Sequence, residues 1–138
     1  MKDFVKMTLA TVAGLLLFGF VAMFMMIAMV GAIVWYVTMF GCAALFFGMG
    51  IYAKKLEKPM WFWSGSQVDP KTITDVRAYN LENSRMWKWY SVWYWIAGAA
   101  WCRSEAIALI ALVLGSTVGI VMLIGTYLKI EKKYKKAA

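Results

Sequence analysis

From residue 7 to residue 53 the chain carries no charged side chain, and Lys6 and Lys54 stand at the two ends of the run. A single helix of that length would measure about 70 Å, against a hydrocarbon layer of about 30 Å. The run therefore predicts two crossings, residues 7–28 and 33–53, joined by a turn at Met29-Val30-Gly31-Ala32. Trp35 and Tyr36 open the second crossing, and Tyr52, Lys54 and Lys55 close it, residue types that favour a bilayer edge. A further uninterrupted apolar run covers residues 106–128. Residues 86–102 make a shorter third span that contains Lys88 and is crowded with Trp and Tyr.

Residues 54–85 are the main polar segment. Pro59 and Trp61-Phe62-Trp63 suit the headgroup level, and Ser64-Gly65-Ser66 reads as a turn. Asp69-Pro70 followed by Thr72-Ile73-Thr74-Asp75 marks a helix start, Thr72 and Asp75 standing at capping-box spacing. Val76, Tyr79, Met86 and Trp87 then recur at helical intervals. The expected fold is all-α, an integral membrane four-helix bundle with a short interfacial amphipathic helix between spans two and three. One membrane domain takes in residues 1–138, ending in a basic tail, 129–138.

Composition sharpens this picture. Of 138 residues, 63% are hydrophobic, so little of the chain is left for a water-soluble domain. The net charge of +8 would point to nucleic acid in a soluble protein. Here the cations flank apolar runs, and no basic patch alternates with stacking residues, so no nucleic-acid partner is expected. With four crossings, all but Arg103 of the 15 lysines and arginines fall on one side. The positive-inside tendency then puts both termini and residues 54–85 in the cytoplasm, the membrane being the bacterial inner membrane. Lys2 and Lys6 resemble the start of a signal peptide, but the apolar run behind them is too long for one, which reads as an uncleaved anchor.

Chemistry is sparse. The chain has no His, which removes the commonest general base and metal ligand. Its two cysteines, Cys42 and Cys102, lack CxxC spacing and read as free thiols. The carboxylates of the central segment have no nucleophile with a base, no metal set and no phosphate-cradling loop beside them. Hence no enzyme activity, catalytic residue, metal or cofactor is expected. The spans also lack an ionisable group at depth, which coupled transport generally requires.

The candidate contact residues fall in two groups. Gly41, Ala44 and Gly48 in the second span, and Ala111, Gly115 and Gly119 in the fourth, follow the small-residue spacing that lets helices approach closely in lipid. They serve either a dimer seam or packing within one bundle. At the membrane surface, Lys71, Arg77 and Arg85, with Trp61 and Trp63, form a candidate contact for anionic lipid headgroups or for the acidic face of a protein partner.

Two resemblances cover different parts. From Met29 onward, Phe62-Trp63-Ser64-Gly65, Asp75-Val76, Ala78-Tyr79-Asn80, Met86-Trp87, Tyr90 and Ile96-Ala97-Gly98 resemble an uncharacterised family of small three-helix bacterial membrane proteins. That part is more distantly similar to SdpI-type immunity membrane proteins. Met1-Lys2-Asp3-Phe4-Val5-Lys6 and Leu9-Ala10-Thr11 look like the membrane anchor of bacterial signal peptide peptidase A, whose catalytic domains have no counterpart here. The expected role is a non-enzymatic accessory or interaction protein partnered by lipid, by its own copies or by another membrane protein. The alternatives are a small oligomeric transporter or pore, and a toxin-immunity protein.

Overall fold

A computed structural model of the chain describes residues 2–62 and 68–136, with side chains from Gly14 onward. Helix α1 spans Lys2–Lys55, α2 spans Val76–Ala100 and α3 spans Glu105–Tyr134, with a 3-10 turn at Pro70–Thr72 before α2. Among the described residues there are thus three long helices, and the expected four-helix bundle is corrected in two places.

The first correction is the turn at Met29-Val30-Gly31-Ala32, which lies within α1. Nothing in that tetrapeptide stops a helix. It has no proline and no polar side chain to receive a freed backbone group, and one interior glycine costs only about 1 kcal/mol. The even number of crossings, and with it the cytoplasmic placement of the N-terminus, rested on that turn.

The second correction is the separate interfacial helix. Residues 76–100 form one helix, so the expected interfacial segment and third span are continuous. Asp75 is the N-cap, its Oδ1 accepting from the Ala78 amide at 2.9 Å. Thr72, expected to cap this helix, sits instead in the 3-10 turn, where its hydroxyl donates to the Asp69 carbonyl and Asp69 caps the Lys71 amide. No glycine or proline interrupts residues 76–97, so the helix runs on to its end near Gly98.

Two helical stretches are long and apolar enough to cross a membrane, Gly14–Lys55 and Glu105–Tyr134. Helix α2 is not one of them, because Arg77, Glu82, Arg85 and Lys88 occupy its first half.

The chain divides into two compact units, Met1–Trp35 and Tyr36–Ala138. In the first, the large apolar side chains from Leu15 to Val34 are 47–75% exposed. Its apolar surface is turned outward all round, in a stretch long and apolar enough to cross a membrane.

The second unit has a core. Helices α2 and α3 form a hairpin closed at Trp101–Ser104, with the Arg103 amide donating to the Ala100 carbonyl at 2.9 Å and Ser104 as the N-cap of α3. Against α2 lies the last part of α1, where Met39, Ala43, Phe46, Gly50 and Ala53 recur at alternating steps of four and three. That period keeps one seam facing a partner helix. Phe46 meets Trp87, Tyr90 and Tyr94 at ring-centroid distances of 5.9, 4.9 and 5.0 Å, and Phe40 meets Trp95 at 5.3 Å. The Trp and Tyr residues that crowd residues 86–102 thus include Trp87, Tyr90, Tyr94 and Trp95 in ring contact with α1.

Candidate functional site

Polar chemistry collects at one end of the second unit, where α2 begins and α3 ends. Asn80, only 1% exposed, holds the segment that follows α1. Its Oδ1 accepts from the Met60 amide at 2.8 Å, and its Nδ2 donates to the Leu56 and Lys58 carbonyls, each at 2.9 Å. One primary amide thereby satisfies three backbone groups of a loop that has no ladder of its own. Pro59, inside that loop, is fully buried.

Tyr79 adds a second hold. Its hydroxyl lies 3.0 Å from the Met60 carbonyl, to which it donates, and 3.1 Å from the Tyr127 hydroxyl of α3. Burial, reinforced by the Tyr127 hydroxyl, pushes the Tyr79 phenol far above its ordinary range, so it remains a neutral donor at every working pH. We expect Tyr79→Phe to cost about 1–2 kcal/mol, because the Met60 carbonyl loses its partner. Thermal unfolding of the detergent-solubilised protein checks this; an unchanged midpoint would show that the hydroxyl contributes nothing.

The C-terminal end of α3 is fastened to the same region. The Thr74 amide donates to the Tyr134 carbonyl at 2.8 Å and the Lys136 amide to the Thr72 carbonyl at 2.8 Å, making the antiparallel bridge between Ile73 and Lys135. Glu82 accepts from Lys133 and, at 2.8 Å, from the Tyr134 hydroxyl. The hydrogen bond from Lys133, and secondarily that from Tyr134, hold the Glu82 carboxyl below its ordinary range. A depressed carboxyl contributes stability that is complete above its unfolded value of about 4.3 and is lost as pH falls through the lower folded value. Lys133 is well exposed, so solvent screens the pair and its contribution to stability is small. Glu82→Gln should therefore flatten the acid limb of a stability profile below about pH 4 while changing neutral stability little. An acid limb identical to wild type would assign that limb to other groups.

The expected contact residues are distributed as follows. Lys71, in the 3-10 turn, and Arg77 and Arg85, on α2, are all exposed. Only Arg85 lines a groove, one of about 560 Å³ between α2 and α3. Trp61 is 40% exposed directly after the Asn80-held loop. Trp63 lies outside the described residues. Gly115 and Gly119 face α2, where an added Cβ would come within 3.0 Å of Trp93 Cβ and 3.1 Å of Tyr90 Cε2. Ala111 is half-buried on the same helix. Gly41, Ala44 and Gly48 are exposed, and a Cβ at either glycine would meet nothing within 4 Å.

Three residues outside the expected contact set stand out: Asn80 and Asn83, read in the sequence as part of a polar cluster at the membrane surface, and Gly50. Asn83 is fully buried and donates from Nδ2 to the Tyr79 carbonyl at 3.0 Å, while its Oδ1 has no partner among the described residues. Both asparagines sit on the face of α2 that carries Tyr79, Met86 and Trp87, a face whose apolar members alone suggested a surface helix. Polar residues at core spacing were the signal. Among the described residues, no group of three His, Cys, Asp or Glu side chains is placed to hold a metal ion.

Neither a protein-family model, nor a curated protein, nor a solved structure matches this chain.

Proposed function

We propose that the chain is an integral inner-membrane protein of bacterial type, with a non-enzymatic accessory or interaction role exercised through helix contacts and a charged cap on the cytoplasmic side. The supporting observation is the outward-facing apolar surface of residues 14–34, together with the open small-residue stripe at Gly41, Ala44 and Gly48. Water opposes exposing that much apolar surface on a monomer, whereas lipid or a neighbouring helix accepts it. The stripe remains open to a second helix because its own chain leaves it bare.

The cap joins the central segment to the C-terminal tail by direct hydrogen bonds, so these two lie on one side of any bilayer that α2 and α3 cross. Their lysines and arginines favour the cytoplasmic side, leaving Arg103 at the opposite end. The likeness of the part after Met29 to small three-helix bacterial membrane proteins supports the same reading.

Alkaline carbonate extraction followed by crosslinking in native membranes tests it. The expected result is a carbonate-resistant chain crosslinked to a defined oligomer or to one recurrent partner. Recovery of monomer alone would overturn the interaction role, and release by carbonate would overturn the membrane placement. Topology reporters should find residue 70 and the C-terminus on one side and Arg103 on the other; residue 70 and the C-terminus on opposite sides would sink the cap.

A further inference from the structure

The groove that Arg85 lines is graded along its length. At one end stand Glu82 and Arg85 of α2, with Thr126 and Ile130 of α3 across from them; at the other stand Trp93 and Gly119. From Glu82 to Trp93 the helix rises about 16 Å, close to the depth of one leaflet at about 15 Å. Gly119 leaves the wall without a side chain at the deep end, and Tyr90 and Trp93 pack over it. The mouth carries net positive charge. Glu82 accepts from Lys133 and also feels the nearby Arg85 guanidinium, so two cations share one carboxylate and one positive charge is in excess; Arg85 is exposed and makes no hydrogen bond or salt bridge with a described residue. A cation at the mouth and an apolar trough one leaflet deep complement a molecule that joins an anion to a hydrocarbon chain.

We infer that the groove between α2 and α3 seats one anionic phospholipid, its phosphate at Arg85 and one acyl chain along Trp89, Trp93 and Met122 toward Gly119. The inference rests on the membrane reading above and gives the lipid contact of Arg85 a definite site. The guanidinium fork binds phosphate with two parallel donors; phosphatidylcholine carries the same phosphate, but its choline cation offsets that charge and is repelled by Arg85 and Lys133, which is what favours a net anionic lipid. The acyl chain gains no hydrophobic energy from leaving other lipid, so packing against ring faces must hold it, as it holds helices to one another.

Native mass spectrometry of the full chain, purified in a mild non-ionic detergent, tests the site with phosphatidylglycerol and phosphatidylcholine of identical acyl chains. One phosphatidylglycerol per chain should be retained in preference to phosphatidylcholine, and inorganic phosphate should not displace it. Arg85→Gln should weaken retention about tenfold, the effect of losing a charge-assisted bond. Thr126→Phe, at an exposed position, should fill the trough and weaken both lipids while leaving the charge intact. Equal retention of the two lipids, displacement by phosphate, or indifference to both variants would overturn the inference. So would a crosslink from position 126 to a second copy or another protein, which would make the groove a protein interface. Each of these outcomes in a carbonate-resistant chain refutes the groove alone; release by carbonate refutes the membrane reading beneath it.

Discussion

Replacing Asn80 by alanine is expected to cost about 2–4 kcal/mol, three hydrogen bonds at roughly 0.5–1.5 kcal/mol each. The Leu56 and Lys58 carbonyls and the Met60 amide have their partner in this one side chain, the Met60 bond buried and the other two part-buried. Without it, the Tyr79 hydroxyl bond and the stacking of Phe62 on Trp87 at 5.6 Å still join this loop to α2, but the Leu56 and Lys58 carbonyls lose their anchor. Asn80→Asp separates bonding from shape. It preserves the volume and the acceptor toward Met60, but turns an oxygen toward two carbonyls, so it should be at least as harmful as alanine. Thermal unfolding in detergent reads both variants, and cysteine accessibility at a reporter placed at Lys58 shows whether the loop has come away. An Asp variant with wild-type stability would mean that the amide only fills space.

The second large effect separates two glycines two residues apart on α1. A Cβ on Gly50 would lie 2.8 Å from the Ser84 carbonyl oxygen and 2.7 Å from Lys88 Cγ. The lysine stem can swing aside, but the helical carbonyl cannot, so α1 must retreat from α2 and loosen the contact of Phe46 with Tyr90 and Tyr94. Gly50→Ala should destabilise by about 1–3 kcal/mol, the usual range for overpacking, and Gly50→Leu by more. Gly48→Ala meets open space and should be neutral or favourable by up to about 1 kcal/mol through helix propensity. Gly48→Leu leaves the single chain folded but blocks close approach of a second helix, so loss of crosslinked oligomer with an unchanged unfolding midpoint marks the open stripe as the seam. Equal losses from both glycines would contradict the packing of α1 on α2.

Much of the all-helical character was legible residue by residue. Asp75 and Ser104 stand directly before helices, as capping side chains do, and the apolar run of α3 announced its own length. The break at residue 31 was inferred from bilayer thickness, a property of the solvent, while the local residues contain no stop signal; the helix follows the residues. The small-residue spacing marks candidate positions for close approach on both helices, but spacing cannot say whether a smooth face meets its own chain or stays bare. Gly115 and Gly119 meet Trp93 and Tyr90, whereas Gly41 and Gly48 meet nothing, and Gly50, which belongs to no GxxxG pair with them, makes the tight crossing.

By itself the sequence determined long charge-free runs with cations at their ends, two of them in helices long and apolar enough to cross a membrane, and a side-chain inventory without histidine. Local propensity and transfer energy act on each residue wherever it lies, so these properties are readable along a line. Only the tertiary structure decided that Asn80 holds a loop from twenty residues earlier, that the tail pairs with the segment before α2, and that Arg85 stands at the mouth of a groove. Those depend on which side chains two distant segments bring within about 3 Å of each other, the reach of a hydrogen bond.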